Sequence, residues 1–135
     1  MTDVTGFGLA GHLGEMLKAS RAKAELDLAA IPLYPGARDL AAAGISSTLL
    51  PENLTFVGII RSDLGEATRA LLFDPQTAGG LLAGIPQSRA DECVTALRAA
   101  GYAGATAIGA VREAREAEPA IVTKNELVLK DGGRP

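Results

Sequence analysis

The sequence predicts an α+β domain in which a sheet of about four strands is covered by helices. Three observations carry that expectation. Apolar residues recur at helical spacing in several separate windows, and short alternating or fully apolar runs of strand length lie between and after them. Helix and strand patterns alternate first, then strands cluster towards the end. Finally, 47% of the 135 residues are hydrophobic, which is enough to bury a real core and rules out wholesale disorder. With 4% aromatics and no Trp, that core must be built mainly from Ala, Leu, Ile and Val.

The first element is a helix. Leu9, Leu13, Met16 and Leu17 recur at i, i+4, i+7 and i+8, with Thr5 as the expected N-cap and Lys18 near the C-terminal end, where the dipole favours a cation. Gly8, Gly11 and Gly14 fall inside it. Each costs about 1 kcal/mol relative to Ala, so close packing or the approach of a ligand is expected to offset them. Ala24 to Leu28 alternates apolar residues with Glu25 and Asp27, the pattern of a half-buried strand. Pro32 and Pro35-Gly36 punctuate the chain, and Ala37 to Ala43 then reads as a short helix stopped by Gly44.

Ile45 to Asn53 reads as a loop ending in Pro51-Glu52-Asn53, and Leu54 to Ile60 fits a strand or an irregular segment equally. Leu64 to Leu72 is expected to be helical behind a Ser62 or Asp63 cap. The turn-rich run from Phe73 to Gly80 leads into an apolar strand, Leu81 to Ile85. The clearest helix follows: Ser88 is its expected cap, Ala90, Cys93, Val94, Leu97 and Ala100 line one face, and Gly101 ends it. Ala105 to Val111, Ala120 to Thr123 and Leu127 to Leu129 are strand candidates, and residues 130–135 form a polar tail. Paired helix-then-strand units suggest a relation to the ferredoxin-like split arrangement.

Composition excludes several classes of function. The net charge is −3, from 13 Lys+Arg against 16 Asp+Glu, which argues against a general nucleic-acid binder. Cys93 is the single cysteine, so neither an internal disulfide nor a cysteine metal cluster can form, as suits a reducing cytoplasm. No apolar run of about 18 residues exists to span a membrane, and the N-terminus lacks the basic and apolar regions of a secretory signal. The opening run Thr2-Asp3-Val4-Thr5-Gly6-Phe7-Gly8 is of a kind that sits between elements where backbone meets ligand. The chain is therefore expected to be one domain, residues 1–135, of something longer.

Two segments concentrate chemistry. Asp3, flanked by Thr2 and Thr5 and followed by glycines and a helix N-terminus, could hold Mg²⁺ while backbone N–H groups face phosphate; spacing alone favours a simple helix cap. Gly6-x-Gly8-x-x-Gly11 has the form of a dinucleotide fingerprint, but no strand precedes it. Asp74-Pro75-Gln76-Thr77-Ala78-Gly79-Gly80 combines a fixed backbone angle at Pro75 with two glycines that permit close approach; composition alone favours a tight helix-to-strand connection. The sole histidine, His12, falls on the first helix and reads as a hydrogen-bonded structural residue, and Cys93 reads as an inert residue on the core side of its helix. There is no Ser/His/Asp set, no paired-His metal spacing and no P-loop.

These two segments resemble a known family. Thr2 to Leu13 (TDVTGFGLAGHL) closely resembles the TDVTGFGLxGH motif of selenophosphate synthetases, the selenide, water dikinases. Leu72 to Leu82 (LFDPQTAGGLL) resembles that family's DPQTSGGLL motif, and Ala107 to Val111 its IGxV stretch. The resemblance covers nearly the whole chain, but only the C-terminal half of such an enzyme. It implies the C-terminal α+β domain of the aminoimidazole ribonucleotide synthetase superfamily, joined to an N-terminal ATP-binding domain that is absent here. It also implies the reaction of selenide, ATP and water to selenophosphate, AMP and phosphate, in a cytoplasmic homodimer with Mg²⁺ and without nucleic acid or membrane.

By the same resemblance, the family's catalytic Cys or selenocysteine, its Lys and most of its magnesium-binding aspartates lie in the N-terminal half. The fragment alone is accordingly expected to be inactive. Asp3 matches the aspartate of TDVTG, implying a metal ligand, and Thr2, Thr5 and Gly6 are implied to shape the nucleotide loop around it. Ala78 stands where the family commonly has Ser, which removes a side-chain hydroxyl. The alternatives are another superfamily enzyme, such as a thiamine-monophosphate kinase or a hydrogenase-maturation protein, and a stand-alone binding domain of the same fold.

Overall fold

A computed structural model describes residues 1–55, 60, 63–114 and 120–125. The expectations for Leu127 to Leu129 and for the tail lie outside the described residues. Among the described residues, five α-helices and five short strands form a mixed α/β architecture. The strands are β1 (Thr2–Asp3), β2 (Ala22–Asp27), β3 (Leu81–Leu82), β4 (Gly109–Glu113) and β5 (Ile121–Lys124). The helices are α1 (Gly8–Ser20), α2 (Ala37–Ala42), α3 (Leu50–Asn53), α4 (Glu66–Leu72) and α5 (Ala90–Ala99).

Instead of one sheet of about four strands, the strands divide into a three-stranded sheet, β4-β2-β5, and a separate ladder, β1-β3. β2 is central, antiparallel to β4 from Ala22↔Glu113 to Leu26↔Gly109 and parallel to β5 from Ala24↔Ile121 to Asp27↔Lys124. The division is what positions the site, because β1 leaves the main sheet to pair with β3.

The core forms where α1 and the α4 segment meet β2. Ala10, Leu13 and Leu17 from α1 pack with Ala24 and Leu26 of β2, and with Leu72, Phe73 and Ile121. Phe73 and Ile121 are fully enclosed. α1 closes on Arg21 in the left-handed region, whose N–H faces the carbonyls of Leu17 and Lys18, so Lys18 does stand in the last turn. Its N-terminus differs from expectation. The cap position is Phe7 and no side chain caps it, because the Thr5 carbonyl takes the Gly8 N–H in a turn and the Thr5 hydroxyl is bonded to His12.

Other boundaries shift for local reasons. β2 starts two residues earlier than its alternation suggests, and Leu28 opens a 3-10 turn begun by the Asp27 carboxylate accepting from the Ala29 N–H. The stretch read as loop contains α3, which has Pro51 in its first turn and Glu52 at its positive end. α4 is capped by Gly65, not Asp63, and Ser62 lies outside the described residues. Ile60 is buried and pairs in parallel with Ile121, whereas 56–59 lie outside the described residues. β3 ends at Leu82, and a 3-10 turn over Gln87–Arg89 absorbs Ser88, so the expected cap of α5 is inside that turn.

α5 itself corrects a second expectation. Its stripe does not enter the core: none of its residues is buried, and Leu97 is 40% exposed. Cys93 is half-buried and lines a shallow hollow with Ile85, Pro86 and Arg89. Among the described residues no helix is long and apolar enough to cross a membrane.

Candidate functional site

The two motif segments are one structural unit. β1 and β3 pair through Thr2↔Leu82 and Asp3↔Leu81, and the ladder is extended by the Val4 N–H donating to the Gly80 carbonyl at 3.0 Å. The Gln76 N–H then donates to the Thr5 carbonyl at 3.0 Å, which accepts from Gly8 as well. Residues 2–8 and 74–82 thus run against each other, and Gly8, which looked costly within a helix, and Gly79, expected to allow close approach, permit the contact. A Cβ on Gly79 would strike the Val4 carbonyl. Gly8 has φ +67°, and a Cβ there would lie 2.7 Å from the Phe73 carbonyl carbon and 2.9 Å from the Asp74 oxygen.

A third segment closes the unit. Asn53, 4% exposed at the end of α3, donates from Nδ2 to the Gly6 carbonyl at 2.7 Å and to the Phe73 carbonyl at 2.9 Å. Sequence reasoning missed this residue. The only signal was its place after Pro51-Glu52, which read as the end of a loop. On the second motif, the Gln76 side-chain amide donates to the Asp74 carboxylate at 3.0 Å, turning that carboxylate back on its own loop.

Asp3, Thr2, Thr5 and Gly6 lie along this framework as a continuous run. Burial alternates: Asp3 is exposed, Val4 buried, Thr5 half-buried and Gly6 exposed. Asp3 therefore sits on β1, five residues before α1, and is not its cap. The Thr2 hydroxyl donates to the Asp3 carbonyl at 3.2 Å. The Thr5 hydroxyl lies 3.1 Å from Nε2 of His12, and the α1 N-terminus follows directly, so the positive end of its dipole adjoins the Thr5-Gly6 turn.

Among the described residues no group of three or more His, Cys, Asp or Glu side chains comes together to hold a metal ion. Asp3 offers one carboxylate. That donor set fits Mg²⁺ only as a single ligand, beside waters and the phosphates of a substrate. The arrangement can present a carboxylate and a hydroxyl from a rigid backbone to a ligand held elsewhere.

Comparison with known proteins fits this partial character. Residues 1–121 match the family model described as AIR synthase related protein, C-terminal domain. A relative from Cronobacter sakazakii named selenide, water dikinase is 39% identical over 121 residues, covering 90% of this chain and 35% of that protein. One of the same name from Pelobacter propionicus is 40% identical over 116 residues, covering 83% and 33%. Another, from Clostridioides difficile, is 36% identical over 114 residues, covering 82% and 33%. The chain spans about a third of the length of the curated relatives it matches. With the family model extending from the first residue through β5's first, the chain belongs to the AIR synthase related proteins and corresponds to their C-terminal domain.

Proposed function

We propose that this chain acts as the C-terminal part of a selenide, water dikinase, converting selenide, ATP and water into selenophosphate, AMP and phosphate. The observation that carries the reading is the clasp between residues 2–8 and 74–82, which holds Asp3 outward on a backbone fixed from three sides. These are the two segments whose sequences resemble that family's motifs, and the relatives bearing that name span 81–90% of the chain. An ATP-binding N-terminal domain would supply the nucleophile and the remaining carboxylates, in a cytoplasmic homodimer.

In that setting Asp3 would hold Mg²⁺ by one carboxylate oxygen, and the ion would neutralise the charge of the nucleotide phosphates. Thr2 keeps the Asp3 backbone in place, and Thr5 and Gly6 form the turn against which the nucleotide would lie. The test is phosphorus NMR on the chain joined to its native upstream half, with ATP, Mg²⁺ and selenide. Selenophosphate appearing together with AMP and phosphate is the expected result. A folded protein that leaves ATP untouched would overturn the reading in favour of a binding domain of the same fold.

A further inference from the structure

β4 (Gly109–Glu113) is an outer strand of the three-stranded sheet, and every one of its residues is exposed. Its pairing with β2 fixes which backbone groups face outward. The Asp27 N–H donates to the Ile108 carbonyl at 2.9 Å and the Ala114 N–H to the Arg21 carbonyl at 3.3 Å, so the residues just beyond both ends of the strand bond to β2. Bonded and non-bonded pairs alternate along an antiparallel ladder. Ala110 and Arg112 therefore point their N–H and C=O groups at β2, whereas Gly109, Val111 and Glu113 point theirs away from it. Among the described residues no strand lies on that side. Such an outward row of donors and acceptors is a template for a further strand.

The sequence of β4 suits a second copy of itself. Two identical edges related by a two-fold axis pair antiparallel, with one residue facing its own copy. With Val111 on the axis, all three outward residues bond: Val111 to Val111, and Gly109 to Glu113 in both directions. Ala110 then stands opposite Arg112, so no like charges are directly opposed. Arg112 or Glu113 on the axis would set a charge against its own copy, and Gly109 or Ala110 there would shorten the overlap. The side chains agree with this register. Val111 pairs with Ala24, a core residue 3% exposed, yet is itself 59% exposed. Two Val111 side chains facing each other would close this open margin of the core. A Cβ on Gly109 would strike the Glu25 carbonyl, so no side chain stands where Glu113 of the second copy arrives. We propose that two copies of this chain associate through β4, joining their three-stranded sheets into one continuous sheet about an axis at Val111. A five-residue edge buries less than the roughly 1,200 Å² of a stable interface, so the dimer is weak, with a dissociation constant on the order of 0.1–1 mM.

Sedimentation equilibrium of the chain from about 20 µM to about 1 mM measures the association, and amide hydrogen exchange by NMR at both ends of that range locates it. At the higher concentration the Gly109, Val111 and Glu113 amides are expected to exchange at least about twofold more slowly. Ala110 and Arg112, already bonded to β2, keep their rates. Val111→Lys sets two cations face to face on the axis and is expected to raise the dissociation constant at least about 10-fold. Unchanged exchange at Ala110 and Arg112 in that variant shows that the β2 ladder is intact. Val111→Thr, branched and uncharged, is expected to associate within about 3-fold of the parent. A chain that stays monomeric at about 1 mM overturns the proposal. So does protection gained along another strand, or by all five β4 amides alike, and so does a dimer that Val111→Lys leaves intact.

Discussion

Asn53 donates to the carbonyl of Gly6 at 2.7 Å, a hydrogen bond that spans 47 residues of chain. The second hydrogen of the same amide goes to Phe73 at 2.9 Å, so one buried side chain joins α3 to the loop ahead of α1 and to the end of α4. Neither carbonyl could be served by a shorter side chain from the same position, and the pair makes the outward run of Asp3 to Gly6 a fixed edge.

Asn53→Ala should therefore be costly for a change at the end of a four-residue helix. It strips the amide from two carbonyls and opens a small cavity, for an expected loss of about 2–3 kcal/mol. Urea unfolding followed by circular dichroism measures it. A loss no larger than that of an exposed substitution would mean the carbonyls find other partners and the edge is held mainly by the β1-β3 ladder.

Gly8→Ala is expected to be worse than any propensity scale suggests. The new methyl would need a left-handed backbone and would press on the Phe73 and Asp74 main chain, for a loss of about 3 kcal/mol or more. Gly36→Ala is the control: φ is +82°, but nothing lies within 4 Å of the added carbon, so about 1 kcal/mol is expected. Equal losses in the two variants would show that backbone conformation alone, and not the approach of the second motif, sets the requirement at Gly8.

These residues also show what the sequence could and could not reveal. α1, α2, α4 and β2 were legible because their apolar periodicity is local, and the run from Thr2 to Gly8 stood out as a candidate because turn-forming and capping residues are crowded into it. The clasp was not, since a hydrogen bond over 47 residues leaves no trace in local composition. Thr5 looked like a cap for the same reason: its hydroxyl suits an N-terminus, and only the fold shows that His12 engages it instead. The stripe of α5 was read correctly as amphipathic, but periodicity says nothing about whether a neighbour covers it, and Leu97 stays partly open.

Away from the site, acid stability is expected to depend on Asp27. The Asn125 amide, 2.9 Å from its carboxylate, is the chief cause that holds this group below the usual carboxylate range; the Ala29 N–H and Lys124 add to it against some desolvation. The folded chain thus binds this proton less readily than the unfolded one. The stabilisation is complete above the unfolded-state value and is lost as pH falls through the folded one. Asn125→Ala should move the carboxyl titration of Asp27, read by carbon NMR, to higher pH. An unmoved titration would show that backbone donors and Lys124 suffice.

Asp3→Asn separates folding from function. The side chain is exposed on β1, and the ladder it belongs to is made by backbone pairing with Leu81, which an amide does not disturb. Unfolding free energy should therefore change by less than about 0.5 kcal/mol. On the function proposed above, the same change in the full-length enzyme would replace a charged ligand of Mg²⁺ by a neutral, weaker one. ATP turnover is expected to fall by at least about 100-fold, since loss of one group that stabilises transition-state charge costs on the order of 10²–10³. Raising Mg²⁺ should recover part of the loss if Asp3 acts through the ion, because a weakened site can be refilled by mass action. Near-normal turnover at ordinary Mg²⁺ would remove Asp3 from the metal site, whereas a large fall that Mg²⁺ cannot relieve would assign the carboxylate to the geometry of the loop.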